Sequence, residues 1–172
     1  MKRILVLFAL ALTYVTCATA QTAIYGTVSS SNYDVGHVGW QYGSTFGLFH
    51  DEWGSPFLRA GVDLRASLLG SGNKTLDSAL LGPHIQYHFH PAVLPLKPYF
   101  EALGGGAHVR LGQGMDYMDE YGGAFQLAGG LDVTLFSHLD WRVAEYSWGS
   151  VVGVGRTIRP SMLSTGLVLR LR

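Results

Sequence analysis

Residues Phe57–Gly70 read FLRAGVDLRASLLG. Leu58, Ala60, Val62, Leu64, Ala66 and Leu68 are all apolar, and between them stand Arg59, Gly61, Asp63, Arg65 and Ser67. Side chains alternate across a β-strand, so this stretch carries two opposed surfaces, one greasy and one charged or small. The fold turns on which of the two meets water.

The rest of the chain repeats the pattern. Segments of roughly ten residues with period two end in turns rich in Gly, Pro, Asn, Asp or Ser. There are eight: about 22–31, 38–50, 57–70, 76–90, 97–111, 122–136, 139–149 and 160–171. In the second, Trp40, Tyr42, Phe46 and Leu48 oppose Gln41, Gly43, Thr45 and Gly47. In the fourth, Ala79, Leu81, Pro83, Ile85, Tyr87 and Phe89 oppose Ser78, Gly82, His84, Gln86 and His88. Pro83 cannot donate to a ladder, which predicts a bulge or local irregularity there. The glycines at 104–106 permit a bulge or strong coiling in the fifth segment.

Composition bears on the faces. Charged residues are 14% of the 172-residue chain, against about 25% in soluble domains. Beyond residue 20 the only lysines are Lys74 and Lys97, whereas a soluble β-protein clothes its outer face and edges with charge. These segments match the roughly 9–11 residues of a tilted transmembrane strand, and strands cross a bilayer only as a closed barrel. The sequence therefore predicts an all-β fold: an eight-stranded antiparallel up-and-down transmembrane β-barrel over residues 21–172, leucines to lipid and polar residues inward. Trp40, Phe89, Tyr99, Phe136, Trp141 and Trp148 fall near strand ends, where interfacial girdles sit. A soluble lipocalin-like carrier is the reading in which the apolar face points inward instead.

Residues 1–20 read as a cleaved secretory signal peptide. Lys2 and Arg3 precede a short apolar run, Ile4–Val15, and Ala18-Thr19-Ala20 forms a small-x-small cleavage site. Cys17, the only cysteine, lies inside it, and Thr16 and Tyr14 fit a lipoprotein signal poorly. The mature chain would then have no disulfide or zinc–thiolate site. Removing Lys2 and Arg3 from twelve basic residues leaves ten against twelve acidic, a net charge of −2 with histidine neutral. That balance carries no nucleic-acid footprint. With both chain ends periplasmic, the outer loops fall at about 31–37, 70–75, 112–121 and 149–159, the last two longest.

Three constellations could carry chemistry. His84, His88 and His90 share one strand face, but His84 and His88 lie about 13 Å apart and cannot share a metal, and His88 and His90, about 6.6 Å apart, could do so only with help from other strands; no metal or other cofactor is expected. His108, Glu145, Ser147 and Ser164 supply the residue types of an outer-leaflet lipid-modifying enzyme, and such sites are recognised by geometry. Arg59, Asp63, Arg65, His84, Gln86, Glu101, Gln126, Asp132, Arg142 and Arg170 read as an interior polar network, because buried charges must pair. That network would either fasten a filled barrel or line a narrow pore. Glycine runs such as GGGAH precede no helix and are not phosphate loops.

The motifs GVDLR, LLGPH, KPYFEALGG, GGLDV and DWRVAEYSWG, and the final LSTGLVLRLR, resemble those of small outer-membrane barrels of the outer-membrane protein A-like superfamily. The likeness extends over nearly all of residues 22–172. It implies a non-enzymatic, porin-like protein of the cell envelope, monomeric, in the outer membrane of a Gram-negative-type bacterium. The implied partners are outer-membrane lipid, the barrel-assembly machinery and an extracellular loop partner. Such barrels usually end in an aromatic residue, whereas this chain ends Leu171-Arg172.

Overall fold

The computed structural model describes residues 21–33, 39–55, 57–89, 95–112 and 118–171; residues 1–20, and with them the signal peptide expected there, lie outside these. Nine strands follow in chain order: β1 (Gln21–Tyr33), β2 (Gln41–Gly54), β3 (Leu58–Ser71), β4 (Lys74–Tyr87), β5 (Leu96–Leu111), β6 (Met118–Phe136), β7 (Leu139–Val154), β8 (Arg156–Ile158) and β9 (Pro160–Leu171). Each long strand pairs antiparallel with its neighbour in the order β6-β5-β4-β3-β2-β1-β9-β7, and β6 pairs with β7 to close an eight-stranded barrel. The three-residue β8 adds only to the tip of β7. Gln21 and Leu171 lie at one end, the near end; the turns after β1, β3, β5 and β7 lie at the far end.

The face assignment follows from exposure. Leu64 is 41% exposed on the outer wall, whereas the next residue, Arg65, is fully buried inside. Ile24, Val62, Leu68, Leu81, Ile85, Phe100, Phe125, Leu163 and Leu167 join Leu64 outside. A surface of this kind is stable against hydrocarbon and unstable against water. Trp40, Phe89, Phe136, Trp141 and Trp148 are exposed on the outer wall. Tyr99 is not in that girdle: it is 5% exposed and points into the barrel.

At Pro83 the expected irregularity takes the form of a gap in the ladder without a bulge: Val62 pairs with it on one side, and on the other the β4–β5 ladder skips Gly82 and Pro83 and resumes in register. β5 also pairs with β6 in one unbroken register through Gly104–Gly106. Glycine permits distortion without requiring it, and both neighbouring strands are long enough to hold the ladder straight. Two far-end connections, those expected at 70–75 and 149–159, are shorter than the sequence predicts. Gly72, at φ 60°, turns β3 into β4, and most of 149–159 is strand.

The ladder breaks elsewhere. An irregularity at Asp51/Trp53 gives β2 one extra residue against β3. The more consequential one is in β7, where Val143 and Ala144 face the single residue Thr165 of β9. The same residues shift the β6 register between Leu131 and Asp132. This bulge frees the carbonyl of Arg142 from the ladder. Thr165 Oγ1 donates to it at 2.9 Å, and Trp141 Nε1 donates to Thr165 Oγ1 at 3.3 Å. The outer wall thus carries its own cap for a group that lipid cannot satisfy. Replacing Thr165 with valine keeps the shape and removes the donor. We expect a loss of about 1–3 kcal/mol in urea unfolding from lipid vesicles, against a change within about 0.5 kcal/mol for Ser44→Val, on the same wall away from the bulge.

Candidate functional site

The interior is stacked in three layers, and the near-end half is a charged network. β3 sends in Arg65, which is its hub. Both terminal nitrogens of Arg65 donate to Glu145, NH1 to Oε1 and NH2 to Oε2, each at 2.9 Å. NH2 also meets Glu101, and Nε donates to the Tyr25 hydroxyl at 2.9 Å. Tyr25 in turn donates to Asp63 Oδ2 at 2.9 Å. Bidentate arginine–carboxylate pairing of this kind fixes orientation as well as charge.

Glu145 reaches the hub because of the bulge. Arg142 and Glu145 are three apart, and in a regular strand they would point to opposite faces. The extra residue turns both inward. Arg142 NH1 donates to Glu145 Oε2 at 3.0 Å, and Tyr99 donates to the same oxygen at 2.6 Å. Arg142 grips Asp132 through Nε at 3.0 Å and NH2 at 3.3 Å. Its guanidinium carbon lies 4.4 Å from the Tyr25 ring centre and 4.2 Å from that of Tyr99, within cation–π range of both. Two glycines make room for these rings. A Cβ on Gly47 would fall 2.2 Å from Tyr25 Cζ, and one on Gly130 would fall 2.5 Å from the Tyr99 oxygen.

Toward the near end the network continues. Gln86 donates to Asp132 at 3.3 Å and accepts from Arg170 NH2 at 2.8 Å. Arg170 and Lys97 both hold Asp140, Lys97 at 2.9 and 3.1 Å. Arg59 and Arg170 each donate to Gln21 Oε1 at 3.1 Å. His84 is set by Glu101, 2.9 Å from its Nδ1, and stacks on Phe49 at 4.5 Å between ring centres.

Above the charges lies a belt of hydroxyls. Ser29 Oγ is 2.8 Å from Ser164 Oγ and 3.1 Å from Thr45 Oγ1, and Thr45 is 3.0 Å from Ser67. Gln126 donates to Ser147 at 2.8 Å. The far-end third is mainly apolar: Tyr33, Leu69, Leu76, Val109, Val151, Val154, Ile158 and Met162 pack together, with the buried Gln41 accepting from the Tyr33 hydroxyl at 2.6 Å. Between belt and apolar layer a cavity of about 30 Å³ is bordered by Ser31, Ser67, Leu80, Gln126 and Met162, about one water's share of liquid volume.

The structure therefore brings together nine of the ten network residues named from sequence, with Arg59 beside them at the near-end mouth. Tyr25, Lys97, Tyr99, Asp140 and Glu145 also belong to it. Inward alternation could have found Tyr25 and Tyr99; only the bulge places Glu145. The catalytic group is not assembled. His108 faces outward on β5, against Asp119 at 2.5 Å and stacked on Tyr121, while Glu145, Ser147 and Ser164 point inside. Of the histidine row, His88 points inward and contacts Gln86 at 3.0 Å, and His90 lies outside the described residues. Among the described residues no group of three or more His, Cys, Asp or Glu side chains is arranged to hold a metal ion.

No protein-family model matches the chain, and no curated protein matches it. Solved structures do. Neisserial surface protein A aligns at 17% identity and TM-score 0.57, covering 88% of this chain and 97% of that one. Ail, the attachment invasion locus protein of Yersinia pestis, aligns at 9% and 0.56, covering 88% and 97%. The N-terminal β-barrel domain of Pseudomonas aeruginosa OprF aligns at 14% and 0.52, covering 89% and 100%. The fold is that of the small outer-membrane β-barrels, closed by eight antiparallel strands.

The glycine fit gives a direct check. Gly130→Ala drives a methyl into Tyr99, and we expect a loss of about 1–3 kcal/mol. Gly104→Ala points outward with its nearest neighbour 4.0 Å away and should change stability by less than about 0.5 kcal/mol. Equilibrium unfolding of both variants from the same vesicles measures the difference.

Proposed function

We propose that this protein is an integral outer-membrane barrel with a structural or interaction role, non-enzymatic, and closed to solutes. The observation that carries the reading is the filled interior. Ion pairs, hydroxyls and apolar side chains succeed one another from near end to far end, and the cavity between the hydroxyl belt and the apolar layer is only about 30 Å³. A path for ions would have to break the buried pairs and then wet the apolar layer. Either step costs several kcal/mol.

The same reading has the chain exported through the signal peptide at residues 1–20, inserted by the barrel-assembly machinery, and monomeric in outer-membrane lipid. The apolar outer wall supports the lipid contact. Ail carries attachment and invasion in its name, and for this chain the corresponding proposal is a partner met at the far-end turns. An outer-leaflet enzyme on this fold is disfavoured by the separation of His108 from the interior serines. Planar-bilayer recording of the refolded barrel should show no steady conductance, in wild type or in Asp63→Ala. Steady conductance in wild type, altered by Asp63→Ala, would replace the closed barrel with a channel.

A further inference from the structure

Five buried side-chain atoms lack a hydrogen-bond partner among the described residues: Gln41 Nε2, Asp63 Oδ1, and three that belong to two groups facing each other. These three are both carboxylate oxygens of Asp51, on β2, and Nε2 of His84, on β4. Asp51 is 2% exposed and His84 fully buried. They face each other across Gly61 of β3, with Nε2 3.8 Å from Asp51 Oδ1. The basic side chains around Asp51 are committed elsewhere: Arg59 to Gln21, and Arg170 to Gln21, Gln86 and Asp140. Buried polar atoms are rarely left in this state without an ordered water or an ion.

The imidazole is also oriented for ligation. The Glu101 carboxylate accepts from Nδ1 at 2.9 Å, and in the neutral imidazole this leaves the lone pair on Nε2, the nitrogen 3.8 Å from Asp51 Oδ1. A carboxylate behind a histidine, fixing its tautomer, is the usual support for a metal-bound imidazole. Zinc–nitrogen and zinc–oxygen bonds of about 2.0–2.2 Å sum to slightly more than the 3.8 Å gap, so an ion fits between the two groups, a little off the line joining them. Charge points the same way. The described interior buries Asp51, Asp63, Glu101, Asp132, Asp140 and Glu145 against Arg65, Lys97, Arg142 and Arg170, and with Arg59 at the mouth the balance is still one positive charge short while His84 is neutral.

We propose that Asp51 and His84 are the protein ligands of one divalent transition-metal ion of the zinc type, held inside the near-end half of the barrel with water completing its shell. The histidine's metal partner is a carboxylate two strands away, not another histidine on its own strand. Glu101 is the positioning residue, and the site is independent of whether the far-end turns meet a partner.

The test is to refold the barrel in detergent with and without Zn²⁺, remove loose metal by gel filtration, and count bound zinc. Co²⁺ uptake is followed by its visible absorption. Wild type should hold one equivalent. Asp51→Asn and His84→Gln should each weaken binding at least about tenfold and lose the cobalt band, while His88→Ala and His108→Ala leave both unchanged. Circular dichroism and heat-dependent gel mobility verify folding, and the nearly isosteric Asp51→Asn variant carries the test if His84→Gln does not fold. No zinc above the buffer blank in wild type, or uptake that Asp51→Asn leaves unchanged, would overturn the proposal.

Discussion

The fold depends on one constraint: charges that face away from lipid inside an eight-stranded barrel have little water to meet, so they must meet each other. The pairing of Arg65 with Glu145 satisfies it most fully. Arg65 enters from β3 and Glu145 from β7, strands separated in the sheet by β2, β1 and β9. Their contact spans the lumen and fixes the barrel's cross-section. Around it, Tyr25, Tyr99 and Arg142 form a stack that fills the remaining width, and Gly47 and Gly130 have no side chain because those rings occupy the space. The β7 bulge exists at the level where it delivers two charges to one face, and Thr165 closes the backbone gap it leaves on the other.

This arrangement explains why the chain can be so poor in lysine and still hold so much charge. The outer wall needs apolar surface, so apart from Asp77, Arg110 and Asp119 near the far end the ionic groups of the long strands turn mainly inward, where arginine's planar fork makes several directed bonds at once. Lys97 is inside too, but near the mouth and on a single acid, Asp140. The far-end third drops charge altogether: Leu69, Leu76, Val109 and Val151 point in and pack with Ile158 of β8. One end of the lumen is held by pairing and the other by apolar packing, and the hydroxyl belt between them satisfies itself.

Much of this was legible in the sequence where period two is strict. The alternation of Leu58–Leu68 with Arg59–Ser67 assigns β3 outright, and β9 and β4 read the same way. What escaped has identifiable causes. Inserted residues in β2, β6 and β7 flip the phase without a glycine or proline at the insertion to mark them, so Glu145 could not be placed from alternation. Pro83 and Gly104–Gly106 carry the marks of a bulge, yet their ladders hold register, because a missing donor or a missing Cβ removes a constraint without adding a residue. Tyr99 stands near a strand end, as a girdle aromatic does, but its parity with Glu101 sends it inward. The inward leucines at the far end reverse the polarity that the rest of each strand teaches, and only closure of the barrel reveals that they meet one another. The pairing of Asp51 with His84 lies across two strands and a glycine, a relation no spacing along the chain records.

The cross-lumen ion pair bears most of this architecture, and a double-mutant cycle measures it directly. Arg65→Met, Glu145→Gln and the double variant would be unfolded by urea from lipid vesicles beside the wild type. Each single change leaves a buried charge or donor unpaired, so each should cost about 3–5 kcal/mol. The double variant should cost clearly less than their sum, with a coupling of at least about 2 kcal/mol. A coupling near zero would mean that the two side chains do not depend on one another in the folded barrel, and would contradict the central role of their contact.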